Sequence, residues 1–267
     1  MLRWKIKDDL LTVPENRPLI MGILNVTPDS FSDGGRWFGA ENAVHHAVLL
    51  AGQGADIIDV GGQSTRPGFT PISAEEEWRR LEPVLKGLSM LDGLPPVSVD
   101  TFYPLVAERA LEYGAAIIND VTGFDDAEMR RVAAHSGCGC VVMHHADITG
   151  SGDAAGEIRA FFSRRVDECA VAGIGSEQLA LDVGIGFGKT REQELELLKH
   201  CGECRIDGLP LLVGSSRKRI TAYMMNRPDS LPDERDEMTH IAHEMAYRSG
   251  ADIIRVHDVT GAYRFFK

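Results

Sequence analysis

A five-residue phrase recurs along this chain and constrains its fold more than any other feature. Residues 54–58 read GADII, residues 250–254 read GADII again, and residues 114–118 read GAAII. Each follows a helix-like stretch. The glycine is therefore the expected left-handed cap of a helix, and the paired isoleucines open a buried parallel strand. The residue after the two isoleucines is Asp59, Arg255 and Asn119 respectively. Polar groups of different chemistry at one repeated position, the end of an apolar strand, mark a site rather than a core.

Stretches of the same kind predict eight strands, at 19–26, 55–61, 96–101, 115–121, 139–144, 179–184, 210–215 and 251–257. Helical patterns lie between them at 41–53, 74–90, 104–113, 126–136, 156–173, 191–204, 217–226 and 235–249. Strand–helix alternation forces parallel strands. Eight such units in 267 residues suit an α/β fold of the (β/α)8 TIM-barrel kind, which typically needs ~250 residues. An open dinucleotide-binding sheet would carry a glycine-rich first turn leading into a helix. Here the first turn is the long polar loop TPDSFSDGG. Residues 1–18 precede the first strand and are expected to form a short extension, a hairpin closing the barrel floor. No linker or low-complexity stretch divides residues 1–267, so a single domain is expected.

In such barrels chemistry sits at the C-terminal ends of the strands. Those ends supply Asn25, Asp59, Asp100, Asn119 with Asp120, His144, Asp182, Ser215 with Ser216, and Arg255 with His257. Loop capping explains any one of them as well as catalysis does. For a whole ring, a site explains more. The basic run Ser215-Ser216-Arg217-Lys218-Arg219 follows the seventh strand, where barrels often bind phosphate. Arg255 and His257 end the eighth strand beside Asn25 of the first. Opposite them stand Asp100, Asn119 and Asp182, acceptors suited to a flat heterocycle rich in N–H donors. The implied ligand has a donor-rich ring and an anionic tail.

Composition excludes other classes. The net charge of −12 and the lack of a basic block argue against nucleic acid or an anionic membrane surface as partner. No apolar run approaches the ~18 residues of a membrane span, and the charged MLRWKIKDDLL is a poor signal peptide. Five cysteines, an odd number, fit a reducing cytoplasm better than a disulfide framework. Several motifs fail on inspection. Asp29–Gly34 starts like a calcium loop, but its twelfth position is Ala40. Gly184–Thr190 ends like a phosphate-binding loop, but the required first glycine falls on Val183. Lys189 also stands where a dinucleotide fingerprint needs its third glycine. Cys201–Cys204, Cys138–Cys140 and the helical pair His240 and His243 have ligand-like spacing without the remaining ligands of a metal site, and are read as structural.

Seven motifs in order carry a family resemblance. They are MGILNVTPDSFSDGG (21–35), DVGGQSTRPG (59–68), VSVDT (97–101), IINDVTG (117–123), DVGIGFGKT (182–190), GSSRKR (214–219) and RVHDV (255–259). From about residue 18 to 260 the chain resembles the dihydropteroate synthases of the folate pathway. These transferases join 7,8-dihydropterin-6-ylmethyl diphosphate to 4-aminobenzoate and release diphosphate. The resemblance implies that Asp100, Asn119, Met143, Asp182, Lys218 and Arg255 bind the pterin. It implies that Asn25, Arg255 and His257 hold the diphosphate with Mg2+, Asn25 being the metal ligand. Phe31, Phe187, Lys218 and Arg219 would shape the aminobenzoate pocket, the place where sulfonamides would act. Asp33, Thr65 and Arg66, with Lys218, would serve the chemical step, expected to be SN1-like.

Four residues or segments depart from the family pattern. Gln63 replaces a usual Glu, Val183 a usual Pro, and Met238 a usual Gly, while HADITG follows Met143-His144 in place of a Gly-x-Pro turn. The chain also ends soon after RVHDV, which leaves little room for a full eighth helix and for the homodimer contact that the resemblance implies. Two other readings use the same acceptor end of the site. A pterin-dependent methyltransferase domain would lack the Ser216-Arg217-Lys218 and Thr65-Arg66 pieces present here. A non-catalytic pterin-binding paralogue would account for the departures.

Overall fold

The alternation read from the sequence closes into a barrel. A computed structural model describes residues 2–26, 35–63, 70–149 and 153–267. The expectations for Phe31, Asp33, Thr65 and Arg66 fall outside these described residues. The chain opens with an antiparallel hairpin of β1 (Arg3–Ile6) and β2 (Asp9–Thr12). There follow β3 (Leu19–Asn25), α1 (Gly35–Gly52), β4 (Ile57–Gly61), α2 (Ala74–Leu88), β5 (Val97–Asp100) and α3 (Pro104–Glu112). Next come β6 (Ile117–Asp120), α4 (Ala127–Ser136), β7 (Gly139–Met143), α5 (Ala154–Val171), β8 (Leu179–Asp182) and α6 (Arg191–His200). The chain then runs through β9 (Leu211–Val213), α7 (Arg219–Met224), α8 (Asp236–Arg248), β10 (Ile253–Val256) and α9 (Val259–Phe266). Strands β3 to β10 form a closed parallel barrel in chain order, sealed where β10 pairs with β3. This is a (β/α)8 barrel.

The repeated glycines do what their phrase requires. Gly54, Gly114 and Gly250 have φ of 102°, 95° and 114°, a region that side chains with a Cβ rarely enter. Helix starts are equally local. Ser73 caps α2 by accepting from Glu76 N at 3.2 Å, and Thr190 and Gln193 form a reciprocal capping box on α6.

Because strand side chains alternate, two cores form. Ile58, Val60, Ile118, Val142, Leu181, Val213 and Ile254 face the helices. Ile57, Ile117, Val141, Ala180, Leu212 and Ile253 fill the barrel's lower interior, together with Trp4, Ile6 and Val13. The N-terminal hairpin is thus the barrel floor. Trp4 is fully buried there and its indole Nε1 donates to Gln178 O at 2.7 Å.

After the last strand there is room for a short helix: α9 follows β10, with Asp258 at its N-cap accepting from Gly261 N at 3.0 Å. Val259, Ala262 and Phe266 pin it to the barrel. The pattern at 191–204 also divides, because α6 stops at His200 and a tight 3-10 turn carries Cys201–Cys204.

Candidate active site

Two residues above the apolar floor, four of the strands turn polar. The step from Ile57 to Asp59, from Ile117 to Asn119, from Ala180 to Asp182 and from Ile253 to Arg255 keeps the same inward face. The three residues that follow the repeated isoleucines meet at this level. Arg255 Nε donates to Asp59 Oδ2 at 2.6 Å, and Asn119 Nδ2 donates to the same oxygen at 3.1 Å. Arg255 Nη2 donates to Asp100 Oδ2 at 2.7 Å. One guanidinium therefore bridges carboxylates from β4 and β5. The unused oxygens Asp59 Oδ1 and Asp100 Oδ1 are buried without a hydrogen-bond partner among the described residues. Buried acceptors left unpaired are costly, and a ligand N–H would satisfy them.

The electrostatics follow from burial. Loss of water pushes Asp100 up to about 7, although Arg255 pulls the other way. Asp182 is raised by burial against the opposing charge of Lys218. Its Oδ1 accepts from Gly184 N at 2.8 Å, so it caps its own loop while its second oxygen makes no such bond among the described residues. Burial brings Lys218 down to about 8, with Asp182 holding it up. Lys218 Nζ donates to Ile185 O at 2.5 Å and lies 4.9 Å from the Phe187 ring centroid. These groups, with Met143 and Asn25, line a cavity of about 1220 Å3 at the C-terminal mouth of the barrel. That is room for two small ligands side by side.

The pterin binding enzyme family pattern matches residues 21–257 of this sequence. The chain belongs to the pterin binding enzyme family. A dihydropteroate synthase of Synechocystis sp. is 43% identical over 251 residues, covering 91% of this chain and 86% of that protein. The structure of the Xanthomonas albilineans dihydropteroate synthase with 4-aminobenzoic acid superposes with a TM-score of 0.91 at 39% identity, covering 99% of this chain and 95% of that one. The same enzyme in complex with 7,8-dihydropteroate gives 0.88 at 36% identity, covering 99% and 96%.

In this pterin-binding barrel the cationic edge is narrower than the sequence implied. Arg217 turns to Asp236, with two donor bonds of 2.7 Å each, and Arg219 is exposed at the cavity rim. His257 and Asn25 line the cavity on the neighbouring strands β10 and β3. Ser216 Oγ accepts from His257 N at 3.1 Å and lies 2.8 Å from Nδ1. Where the hydroxyl donates to Nδ1, the ring is the tautomer that carries its hydrogen on Nε2.

Sequence reasoning missed Asp59 as the shared partner of Arg255 and Asn119, although the repeat had placed all three at equivalent positions. It also missed Lys189. That ammonium donates to Phe187 O at 2.8 Å and His144 O at 3.2 Å, and lies 3.0 Å from His144 Nδ1. Burial lowers Lys189 to about 8, and burial with the Lys189 charge lowers His144 to about 3. His144 therefore accepts as a neutral ring. Ile148 N donates to Gly188 O at 3.0 Å, so the HADITG segment is stitched to the loop that carries Phe187.

Other polar ends take the bland role. Asp120 faces outward and accepts from Thr122 N and Phe124 N at 2.8 and 2.9 Å, holding its loop. His240 Nε2 lies 3.1 Å from Asp258 Oδ2, while Ser215 N donates to His243 Nε2 at 3.2 Å. Among the described residues no three His, Cys, Asp or Glu side chains come together as a metal site. The five cysteines are free and buried. Among the described residues no helix is long and apolar enough to cross a membrane.

Proposed function

We propose that this chain is a dihydropteroate synthase, which joins 7,8-dihydropterin-6-ylmethyl diphosphate to 4-aminobenzoate and releases diphosphate. One observation carries this assignment: Asp100, Asn119 and Asp182 line the cavity with Lys218 and Arg255, in a chain whose close relatives bear that name. The aminobenzoate and dihydropteroate held by the Xanthomonas enzyme are the chemistry expected here.

In this reading the amino-pyrimidinone edge of the pterin donates to Asp182 and Asn119 lies beside it. Asp100 accepts a further ring N–H, Lys218 donates to the ring's acceptor side, and Arg255 packs against its face. Met143 lines the slot. His257 and Arg255 meet the diphosphate, whose growing charge must be stabilised if it is to leave. Mg2+ fits this edge as an ion shared with the substrate. Asn25 offers an oxygen donor at the exposed end of β3, no acidic cage surrounds it among the described residues, and Mg2+ commonly takes most of its ligands from phosphates and water. When bound it would neutralise the leaving group. The electron-rich pterin shares the positive charge left on its exocyclic carbon, so the carbon–oxygen bond breaks before the weakly nucleophilic arylamine attacks and loses its proton. Phe187, Lys218 and Arg219 hold the arylamine, together with Phe31. Asp33, Thr65 and Arg66 act at the reacting carbon. The cytoplasm, and a homodimer, belong to the same proposal.

The test is diphosphate release measured with both substrates. Release that depends on aminobenzoate supports the assignment. Pterin binding without such release would overturn it in favour of a non-catalytic binder.

A further inference from the structure

Glu77 is fully buried in the first turn of α2, bonded to the cavity-lining Gln63 and outside the pterin-binding groups described above. Its oxygens are both used. Gln63 Nε2 donates to Glu77 Oε1 at 3.1 Å, and Thr101 Oγ1 donates to Glu77 Oε2 at 2.7 Å. The bonds continue in both directions. Tyr103 N donates to Thr101 Oγ1 at 3.2 Å, Tyr103 Oη donates to Ile72 O at 2.5 Å, and Ile72 N donates to Gln63 Oε1 at 3.4 Å. The five residues close a ring. It ties the end of β4 to the start of α2 and to Thr101, the residue after Asp100.

We propose that Gln63 and Glu77 are positioning residues that fix Asp100 for the pterin, and that the amide at residue 63 lets the ring close around a single carboxylate with no shared proton. The polarity of the ring requires it. The side chain at 63 must donate to Glu77 with one end and accept from Ile72 N–H with the other, which a primary amide does and an ionised carboxylate cannot. A Glu at this position would face Glu77 Oε1 at hydrogen-bond distance, and two buried carboxyls so close retain one proton between them. The charged groups around Glu77 are Arg80 and the surface acids Glu75 and Glu76 on its own helix, Asp100 on β5, and the Asp59–Arg255 pair of β4 and β10 beyond Asp100. Tyr103, before α3, is the neighbouring hydroxyl. Burial raises Glu77, while Thr101, Gln63 and Arg80 favour its ionised form. Arg80 also donates to Gly62 O at 3.2 Å, holding the same corner.

The inference rests on the pterin-transfer reading for its link to activity, and its test separates the two. Wild type, Gln63→Glu, Glu77→Gln and the double exchange Gln63→Glu/Glu77→Gln are compared from pH 6 to 8.5. The readouts are thermal unfolding, binding of 6-hydroxymethylpterin, and kcat/KM for the pterin diphosphate, each relative to wild type at the same pH. Gln63→Glu is expected to lose pterin affinity and kcat/KM on the order of tenfold as pH rises and its shared proton leaves, with Tm falling in parallel. Glu77→Gln stays flat with pH. The double exchange reverses the direction of one bond and restores a ring with one carboxylate, so it should recover within about threefold and lose the pH dependence, a coupling that a double-mutant cycle reads directly. A flat ratio for Gln63→Glu, or a double exchange no better than the single, overturns the ring. A change in Tm with unchanged pterin binding overturns the positioning role. If wild type binds pterin but releases no diphosphate, the synthase assignment fails, while unfolding and pterin binding still decide this inference.

Discussion

Asp182 is placed so that one carboxylate can take two roles. Its Oδ1 caps Gly184, a bond that Asn would keep, while the other oxygen faces the site expected to hold the pterin edge. Asn offers a donor where the pterin also donates. Losing a charged hydrogen bond and leaving a partner unpaired costs about 1.5–3 kcal/mol, or roughly tenfold to more than hundredfold in affinity. Asp182→Asn should therefore fold normally and bind 6-hydroxymethylpterin diphosphate that much more weakly in calorimetry, and affinity within about twofold of wild type would remove the anchor. Lys218 sets the pH dependence of the same site. Its pKa is lowered to about 8, so in the free protein it is a cation below that pH and loses its proton as pH rises through it. A pterin atom that accepts from Nζ stabilises the charged form. Affinity should thus fall above about pH 8 as Lys218 loses its proton and also below about pH 7 as Asp100 gains one, while Lys218→Met binds weakly and lacks the alkaline limb.

At the scale of elements, the loop after β8 depends on close backbone approach. Gly184 has φ of 68°, and a Cβ there would lie 1.9 Å from His144 O. Gly184→Ala should destabilise the fold by several kcal/mol, beyond the usual ~1 kcal/mol of a point change, because both strain and overlap must be relieved. Lys189 stitches that loop to His144, so Lys189→Met should raise KM for aminobenzoate with little change in pterin binding. Equal losses for both ligands would count against it. Trp4 lies at the other end of the barrel. Trp4→Ala should cost about 3–5 kcal/mol in denaturant unfolding while leaving ligand affinities nearly unchanged.

These elements also show what a sequence can announce. Strand positions were legible because the apolar runs are short, buried and opened by left-handed glycines. The inward polar storey was legible because the repeat put Asp59, Asn119 and Arg255 in register. What the pattern could not convey was aim. Asp120 stands next to Asn119, yet a one-residue step on a strand turns it outward to hold a loop. Arg217 belongs to the basic run, yet it turns to an aspartate 19 residues away. The Gln63–Glu77–Thr101 ring joins three segments with no shared motif, so nothing local marks it.

At the scale of the whole molecule, a protein of net charge −12 still places Lys218, Arg255 and His257 in the cavity where the diphosphate is expected. His257→Ala should weaken diphosphate binding about tenfold or more by loss of a charge-assisted bond, and chelating Mg2+ should do the same, while a free pterin's affinity stays nearly intact. Equal losses for both ligands would deny the division of the site.

The bond from Arg255 to Asp59 spans 196 residues of chain. It forms only when β10 has slid in beside β3 and completed the cylinder. A nascent chain paused before that last strand would own the carboxylates and the amide, yet lack the guanidinium that fixes them in place. The inward site is therefore complete only once the barrel has closed, and a ligand held by Arg255 would stabilise the seam between β10 and β3.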